Sequence, residues 1–184
     1  FGTWVNGYVD TTSSICWGRH DIGAFMNFDT EEGEIIQLKT AISYVSIEQA
    51  RKNLEVESGG FGWNFDAGRK YAVNEWRKIL STIEIEGGTE EDKRKFYTNL
   101  YRSYCSRTIF SDVDVQYVDM YERTQQLKDP ASPIYGCDAF WNTFWNLNQL
   151  WALATPDIMN KWVESLLEYY RVGGWLPNGP PGVE

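Results

Sequence analysis

Carboxylates are the only side chains in this sequence whose placement could support catalysis. Asp112 and Asp114 stand in FSDVD, Asp138 precedes an aromatic segment, and Glu184 follows GGWLPNGPPGV. Each also fits an ordinary structural role. The FSDVD pair suits turn chemistry or a solvated pair, and Asp138 suits a helix N-cap. By residue type alone, Glu184 is a solvated charge after a Gly- and Pro-rich turn.

Other catalytic motifs are absent from the sequence. It contains no GxSxG, HExxH, P-loop or GxGxxG. His20 is the single histidine, so a structural role is favoured over a metal site. Cys16, Cys105 and Cys137 allow at most one disulfide, and without a CxxC they do not predict zinc. The net charge of -9 argues against nucleic acid as a partner.

The aromatic segment DAFWNTFWNLNQLWALA predicts a helix with two apolar stripes. The first stripe predicts a core face: Phe140, Phe144, Leu147 and Trp151. The second stripe mixes indoles with amides: Trp141, Trp145 and Asn148, beside Asn142 and Gln149. Aromatic faces and amides together suit a polyhydroxylated ligand. The alternative is a helix buried on both sides, with its amides bonded internally, and the residues alone leave both open.

The chain changes character near residue 58. Before it, FGTWVNGYVD predicts strand structure, and AFMNF with IIQLKTAISYVS predicts a hairpin around DTEEGE. These strands are too few for a closed sandwich. We therefore expect the end of a β-domain over residues 1–57, a linker with its helix over 58–86, and a helical region over 87–184.

Helix boundaries follow from local signals. Ser46 is the expected N-cap of SIEQARKNLEVE, and Thr89 that of the helix containing Phe96, Leu100 and Tyr104. Residues 63–83 also show a helical period. Residues 108–137 show no long period, which is typical of functional connections. The last helix is expected to begin at Pro156, to present Trp162, Leu166, Leu167 and Tyr170, and to stop at Gly173 and Gly174. No apolar run reaches the roughly 18 residues of a membrane span.

Several blocks occurring in order resemble family 92 of the glycoside hydrolases, the exo-acting, calcium-dependent α-mannosidases. The blocks that carry the resemblance are SYVS-x-EQAR-x-NLE, FYTNLYRS with FSDVD, DAFWNTFWNLNQLW and GGWLP. The resemblance covers essentially the whole chain, and the blocks are specific in combination. It implies an α+β fold: C-terminal strands of a β-sandwich domain, a linker helix, then the first helices of an (α/α)6 barrel.

The resemblance also implies a chemistry. Family members hydrolyse α-mannosides with inversion, using a glutamic acid as general acid and an aspartate as general base. The acid follows the GGW[LM]P signature by about ten residues, a spacing carried over from the family, so Glu184 takes that role here. The base would lie outside this chain. Calcium is the implied cofactor, with no ligand assignable within the chain. Glycans bearing α-mannosides are the implied partners, and a secreted, periplasmic or cell-surface location is implied.

One motif departs from the family pattern. The family often reads W-D-T-[YF]-R where this chain reads Trp141, Asn142, Thr143, Phe144 and Trp145. The change removes an acid and an arginine together, which implies different subsite contacts and leaves linkage preference open.

The resemblance gives a sugar subsite and leaves two other functions open. The subsite is expected to contain Trp141, Asn142, Trp145 and Trp175, with Asp138 nearby. Glu184 argues against the subgroup that acts on mannose phosphodiesters with glutamine in place of the acid. The alternatives are a non-catalytic carbohydrate-binding protein on the same scaffold and a helical interaction scaffold.

Overall fold

The computed structural model describes residues 1–18, 20–105, 107–136 and 141–177. Within them the fold is α+β, with small sheets and five α-helices, which confirms the coarse fold class. The strands are β1 Gly2–Val5, β2 Tyr8–Asp10, β3 Ile22–Phe25, β4 Thr108–Ile109, β5 Gln116–Val118, β6 Thr124–Gln126 and β7 Tyr135–Gly136. The helices are α1 Ile47–Ser58, α2 Phe65–Leu80, α3 Glu90–Arg102, α4 Leu147–Ala154 and α5 Pro156–Gly173, with a 3-10 turn at Thr143–Trp145.

The chain divides into two compact units, Phe1–Leu38 and Lys39–Glu184. The first unit holds an antiparallel sheet in the order β2-β1-β3. Asn6 and Gly7 connect β1 to β2 with φ angles of 49° and 78°. Two successive positive φ angles fit the twist of a two-residue hairpin, and Asn-Gly is the favoured pair for it. The strand prediction for FGTWVNGYVD is therefore confirmed.

The hairpin predicted for AFMNF and IIQLKTAISYVS was wrong. The partner of β3 is β1, with Thr3 opposite Ala24. Residues 26–46 contain no strand in the structure, and Ile35, Leu38 and Ile42 are exposed. Strand propensity is realised only where a strand has neighbours to pack against. These apolar residues have no such neighbours, so the local signal failed.

The second unit contains all five α-helices, and local capping defines several of their ends. The Ser46 hydroxyl accepts a hydrogen bond from the Gln49 amide at 3.1 Å, and Thr89 and Asp92 form a reciprocal capping box. Pro156 is the first residue of α5, and Gly174 ends that helix with φ 78°. These boundary predictions are confirmed. The residue 57/58 boundary coincides with the last turn of α1, inside this unit, and stays a prediction for the domains of a longer protein.

Two apolar clusters form the core of the second unit. The larger contains the buried residues Leu100, Tyr104 and Trp151, which join α3 to α4, and the C-terminal half of α2 packs against it. The smaller contains Tyr117, Ile134 and Tyr169, which join the β5–β6 hairpin to α5. No helix among the described residues is long and apolar enough to cross a membrane.

Two predicted helical faces need correction. The helix expected across DAFWNTFWNLNQLWALA is broken: Asn146 has φ -151° and ψ -33°, so α4 begins only at Leu147. Phe144 is exposed instead of facing the core, while Trp151 is buried as predicted. Phe140 lies outside the described residues.

The buried face of α5 is rotated from its predicted position. The residues that α5 buries are Trp162, Ser165 and Tyr169, whereas Leu167 and Tyr170 are exposed. The cause is polar: the Ser165 hydroxyl accepts from the Tyr135 amide at 3.0 Å, and the Tyr169 hydroxyl donates to the Tyr135 carbonyl at 2.9 Å.

Candidate functional site

The segment before α4 presents aromatic rings to solvent. Trp141 is 61% exposed and Trp145 is 68% exposed, and Asn142 between them is also exposed. The Trp145 amide donates to the Asn142 carbonyl at 3.2 Å, which closes a turn. Gln149 reaches back from α4 and donates to the Phe144 carbonyl at 2.6 Å. The structure therefore brings three of the predicted subsite residues together on one short turn.

The helix that follows this turn, α4, is held by an arginine between two indoles. Arg107 is 4% exposed, and its guanidinium carbon lies 4.6 Å from the Trp151 ring centroid and 4.5 Å from the Trp162 ring centroid. Its Nη2 donates to the Asn148 side-chain oxygen at 2.6 Å. Trp151 stacks on Tyr104 at 5.0 Å with an angle of 11° between the rings. The first turn of α4 is thus bonded to a closely stacked layer.

Of the other predicted site residues, one follows α5 and two fall outside the described residues. Trp175 follows the Gly174 cap of α5 and is 82% exposed. Asp138 and Glu184 lie outside the described residues. Their roles stay predictions.

The FSDVD carboxylates form a network with α1. Asp112 is 5% exposed and accepts from the Ser43 hydroxyl at 2.8 Å and from the Asn53 amide at 2.7 Å. The Asn53 side-chain oxygen accepts in turn from the Val113 backbone amide at 3.0 Å. Asp112 is therefore neither a solvated charge nor a simple turn former. We call the set Ser43, Gln49, Lys52, Asn53, Asp112 and Asp114 the acid–amide network.

Asp114 forms the outer part of the acid–amide network. It accepts from Lys52 at 2.6 Å, from the Gln49 amide at 3.0 Å and from the Gln116 amide at 3.1 Å. The Lys52 ammonium is the main cause that holds the pKa of Asp114 below its ordinary value, against partial burial, which acts to raise it. A carboxylate held ionised by a lysine is suited to fastening α1 and is a poor proton donor.

Lys52→Met is expected to weaken the acid dependence of stability. A carboxyl with a lowered folded-state pKa stabilises the fold above its unfolded value of 3.8, and that contribution is lost as pH falls through the lower folded value. Without Lys52, the folded-state pKa of Asp114 moves closer to its unfolded-state pKa. The unfolding temperature of the complete protein should therefore fall less steeply in the variant as the pH is lowered from about 5 to 2.5.

Lys78→Met is the matched control, because Lys78 pairs with Glu75 on the surface of α2. The unfolding temperature of this variant is expected to fall with pH as steeply as that of the unsubstituted protein. An unchanged slope in Lys52→Met would contradict the assignment of the low pKa to Lys52.

The acid–amide network was missed as a unit by sequence reasoning, although its residues stand in two of the quoted blocks. Gln49, Lys52 and Asn53 occupy positions i, i+3 and i+4 of α1, so they share one face. A polar stripe on a helix that must pack was the available signal. Its partners are about 60 residues away in the chain, and no periodicity reports that separation.

A small cleft beside α5 contains a further carboxylate. Its volume is about 230 Å³, and its lining includes Lys128, Ser132, Glu164, Glu168 and Arg171. Glu168 accepts from the Tyr117 hydroxyl at 2.7 Å and from Arg171 Nε at 2.7 Å. Arg171 is the main cause that lowers the pKa of Glu168. This carboxylate is ionised and fully engaged, so it does not supply a general acid.

A family model settles the relationships of the chain. The model described as the glycosyl hydrolase family 92 catalytic domain matches residues 49–183. The chain belongs to glycoside hydrolase family 92. A curated relative, an uncharacterized secreted glycosidase from Arthroderma benhamiae, is 32% identical over 73 residues, which are 39% of this chain and 10% of the relative.

Solved structures of family 92 share the fold. An inverting mannosidase from Bacteroides thetaiotaomicron is 27% identical, with a TM-score of 0.66, over 74% of this chain and 18% of its own. An α-mannosidase from the same organism is 24% identical, with a TM-score of 0.68, over 76% of this chain and 18% of its own. The present chain therefore spans about a fifth of the length of these enzymes.

The described residues do not fit a calcium site of the kind that family 92 implies. They contain no group of three or more His, Cys, Asp or Glu side chains placed to hold a metal. The best oxygen cluster is the acid–amide network, where the Lys52 ammonium already contacts Asp114. The ammonium in contact with that carboxylate repels a second cation there.

Proposed function

We propose that this chain is part of an inverting exo-α-mannosidase that hydrolyses α-mannosidic linkages in glycans. The observation that carries the proposal is the match of the family 92 catalytic-domain model to residues 49–183. The likeness to an inverting mannosidase at 27% identity supports the reaction class. In the proposed architecture, residues 1–57 end a β-sandwich, 58–86 form the linker, and 87–184 begin an (α/α)6 barrel.

In the proposed mechanism Glu184 protonates the leaving glycosidic oxygen. An aspartate from the rest of the protein activates water on the opposite face of the sugar. Inversion needs the two carboxyls about 6.5–9.5 Å apart, so that the water fits between them. The acid must hold its proton near neutral pH, which an enclosed site at the interface of two domains can arrange.

The exposed turn before α4 is the proposed sugar subsite. Indole faces stack on the apolar faces of pyranose rings, and the neutral Asn142 amide both donates and accepts. The exposure of Trp141 and Trp145 supports this role, because rings in the core would be unavailable to a ligand. Trp175 and Asp138 complete the proposed subsite. Calcium ligands are assigned to the rest of the protein, and we propose a secreted or cell-surface location, which the secreted relative supports.

The function is tested by incubating the complete protein with α-1,2, α-1,3, α-1,4 and α-1,6 mannobioses, with and without a chelator. We expect release of mannose from at least one linkage, with β-mannose as the first product, as inversion requires. The chelator is expected to abolish release. If no mannobiose is cleaved under either condition, the proposed function is wrong. If α-mannose appears first, the inverting mechanism is wrong.

A non-catalytic carbohydrate-binding protein is the second candidate. The exposed indoles of Trp141 and Trp145 favour it as much as they favour an enzyme, because stacking needs no acid. Mannobiose binding seen by calorimetry, together with no hydrolysis over days, would select this function.

A further inference from the structure

The turn that carries Trp141 and Trp145 is flanked on both sides of the chain by elements fastened to residues 107–109. On the N-terminal side, β7 pairs with β4, with Gly136 opposite Thr108. On the C-terminal side, Asn148 accepts the 2.6 Å hydrogen bond from Arg107. One three-residue stretch therefore contacts an element on each side of the turn, and the contact with Asn148 lies closer to it.

Arg107 is itself held in a fixed plane. Its guanidinium lies against Trp151 and Trp162, and all three residues are buried. A planar guanidinium stacked on rings has its N–H directions set by the stack, whereas a lysine ammonium on a flexible stem does not. Asn148 therefore receives its hydrogen bond from one direction. That bond orients Asn148, which lies in the first turn of α4, three residues after Trp145.

The backbone of the exposed turn is linked to α4 directly. Trp145 donates to the Asn142 carbonyl within the turn, and Gln149 in the first turn of α4 donates to the Phe144 carbonyl. A displacement of α4 would thus pass directly to the two indoles. Stacking on a sugar requires the ring planes to be placed correctly, so this geometry matters for affinity.

We propose that Arg107 is a positioning residue for the sugar subsite, acting through Asn148 on the turn that presents Trp141 and Trp145. The proposal rests on the proposed function, because it takes this turn to be the subsite. Arg107 is buried and does not touch the sugar. Its effect is to place the two rings before the ligand arrives.

The test uses Arg107→Met and Arg107→Lys in the complete protein, assayed well below the unfolding transition on the mannobiose that is cleaved fastest. We expect KM to rise about 10-fold in both variants, which corresponds to the loss of one ring-stacking contact. We expect kcat to change several-fold less than KM. A merely structural role would lower the amount of active enzyme without moving the KM of the folded fraction.

Tyr104→Phe is the matched control. It keeps the ring that stacks on Trp151 but removes the hydroxyl bonded to Thr155 at 3.0 Å, so it weakens the same cluster away from the turn. Its KM is expected to remain unchanged. A wild-type KM in the Arg107 variants, or an equal rise in Tyr104→Phe, would overturn the proposal.

Amide hydrogen exchange gives a second measurement that does not depend on activity. Peptides covering residues 141–150 are expected to exchange at least 10-fold faster in both Arg107 variants than in Tyr104→Phe. Equal exchange in the three variants would overturn the proposal. If the unsubstituted protein releases no mannose, the proposed function fails, and the exchange result alone decides whether Arg107 positions the turn.

Discussion

Glu184→Gln in the complete protein is expected to lower the rate of hydrolysis of an unactivated mannobiose by about 10²–10⁴-fold, the usual contribution of general acid catalysis. Glutamine keeps the size and hydrogen-bonding capacity of the side chain but has no proton to give to the leaving oxygen. An aryl mannoside with a strongly acidic phenol as leaving group needs little protonation. The same variant should therefore hydrolyse that substrate at close to the unsubstituted rate.

Glu86→Gln supplies the matched control for the loss of one carboxylate. Glu86 lies exposed in the connection between α2 and α3, so both rates should be unchanged in this variant. An unchanged rate of Glu184→Gln on the mannobiose would remove Glu184 from the acid role. Equal losses on both substrates would also contradict it, because they would indicate damage to binding or folding.

Asp112→Ala is expected to destabilise the docking of α1 by about 3 kcal/mol. The substitution removes a buried acceptor from Ser43 and Asn53, and hydrogen bonds to charged groups contribute about 1.5–3 kcal/mol each. Such a loss raises the population of the locally opened state about 10²-fold. Hydrogen exchange of the α1 amides in the complete protein measures that population.

Two further variants bracket this result. Asp112→Asn retains a side-chain oxygen acceptor and should lose clearly less stability than Asp112→Ala. Asp114→Asn weakens the pair with the half-exposed Lys52, which is worth about 1 kcal/mol or less. Equal exchange rates in Asp112→Ala and Asp114→Asn would contradict the view that burial makes Asp112 the central member of the acid–amide network.

The features that sequence reasoning predicted correctly depend on neighbours a few residues apart. Ser46 and Thr89 cap helices through their own third following residue, and Pro156 begins a helix because its ring fixes φ. The face of α3 was also predictable, because Phe96 and Leu100 repeat at helical spacing and both belong to the larger cluster. Each signal is complete within one or two turns, so tertiary context had little to alter.

The features that failed depend on distant partners. The apolar residues in 35–46 indicated a strand paired with AFMNF, but β3 pairs with β1 instead. Ser165 faces inward on α5 because its hydroxyl accepts from the Tyr135 backbone amide, a contact that no hydrophobic period reveals. For the site, composition identified the exposed indoles, and the family resemblance supplied the role of Glu184. The support given by Arg107 depends on contacts 41 to 55 residues along the chain and had no sequence signal.

The bond between Asn53 and Asp112 joins residues 59 positions apart, and this separation constrains the order of events during translation. At about 5–20 residues per second, the ribosome completes α1 several seconds before it adds Asp112. During that interval the polar face of α1 lacks its acceptors Asp112 and Asp114. Docking of α1 is therefore a late event in biosynthesis, and α2 and α3 can assemble before the segment that precedes them in the chain is fixed.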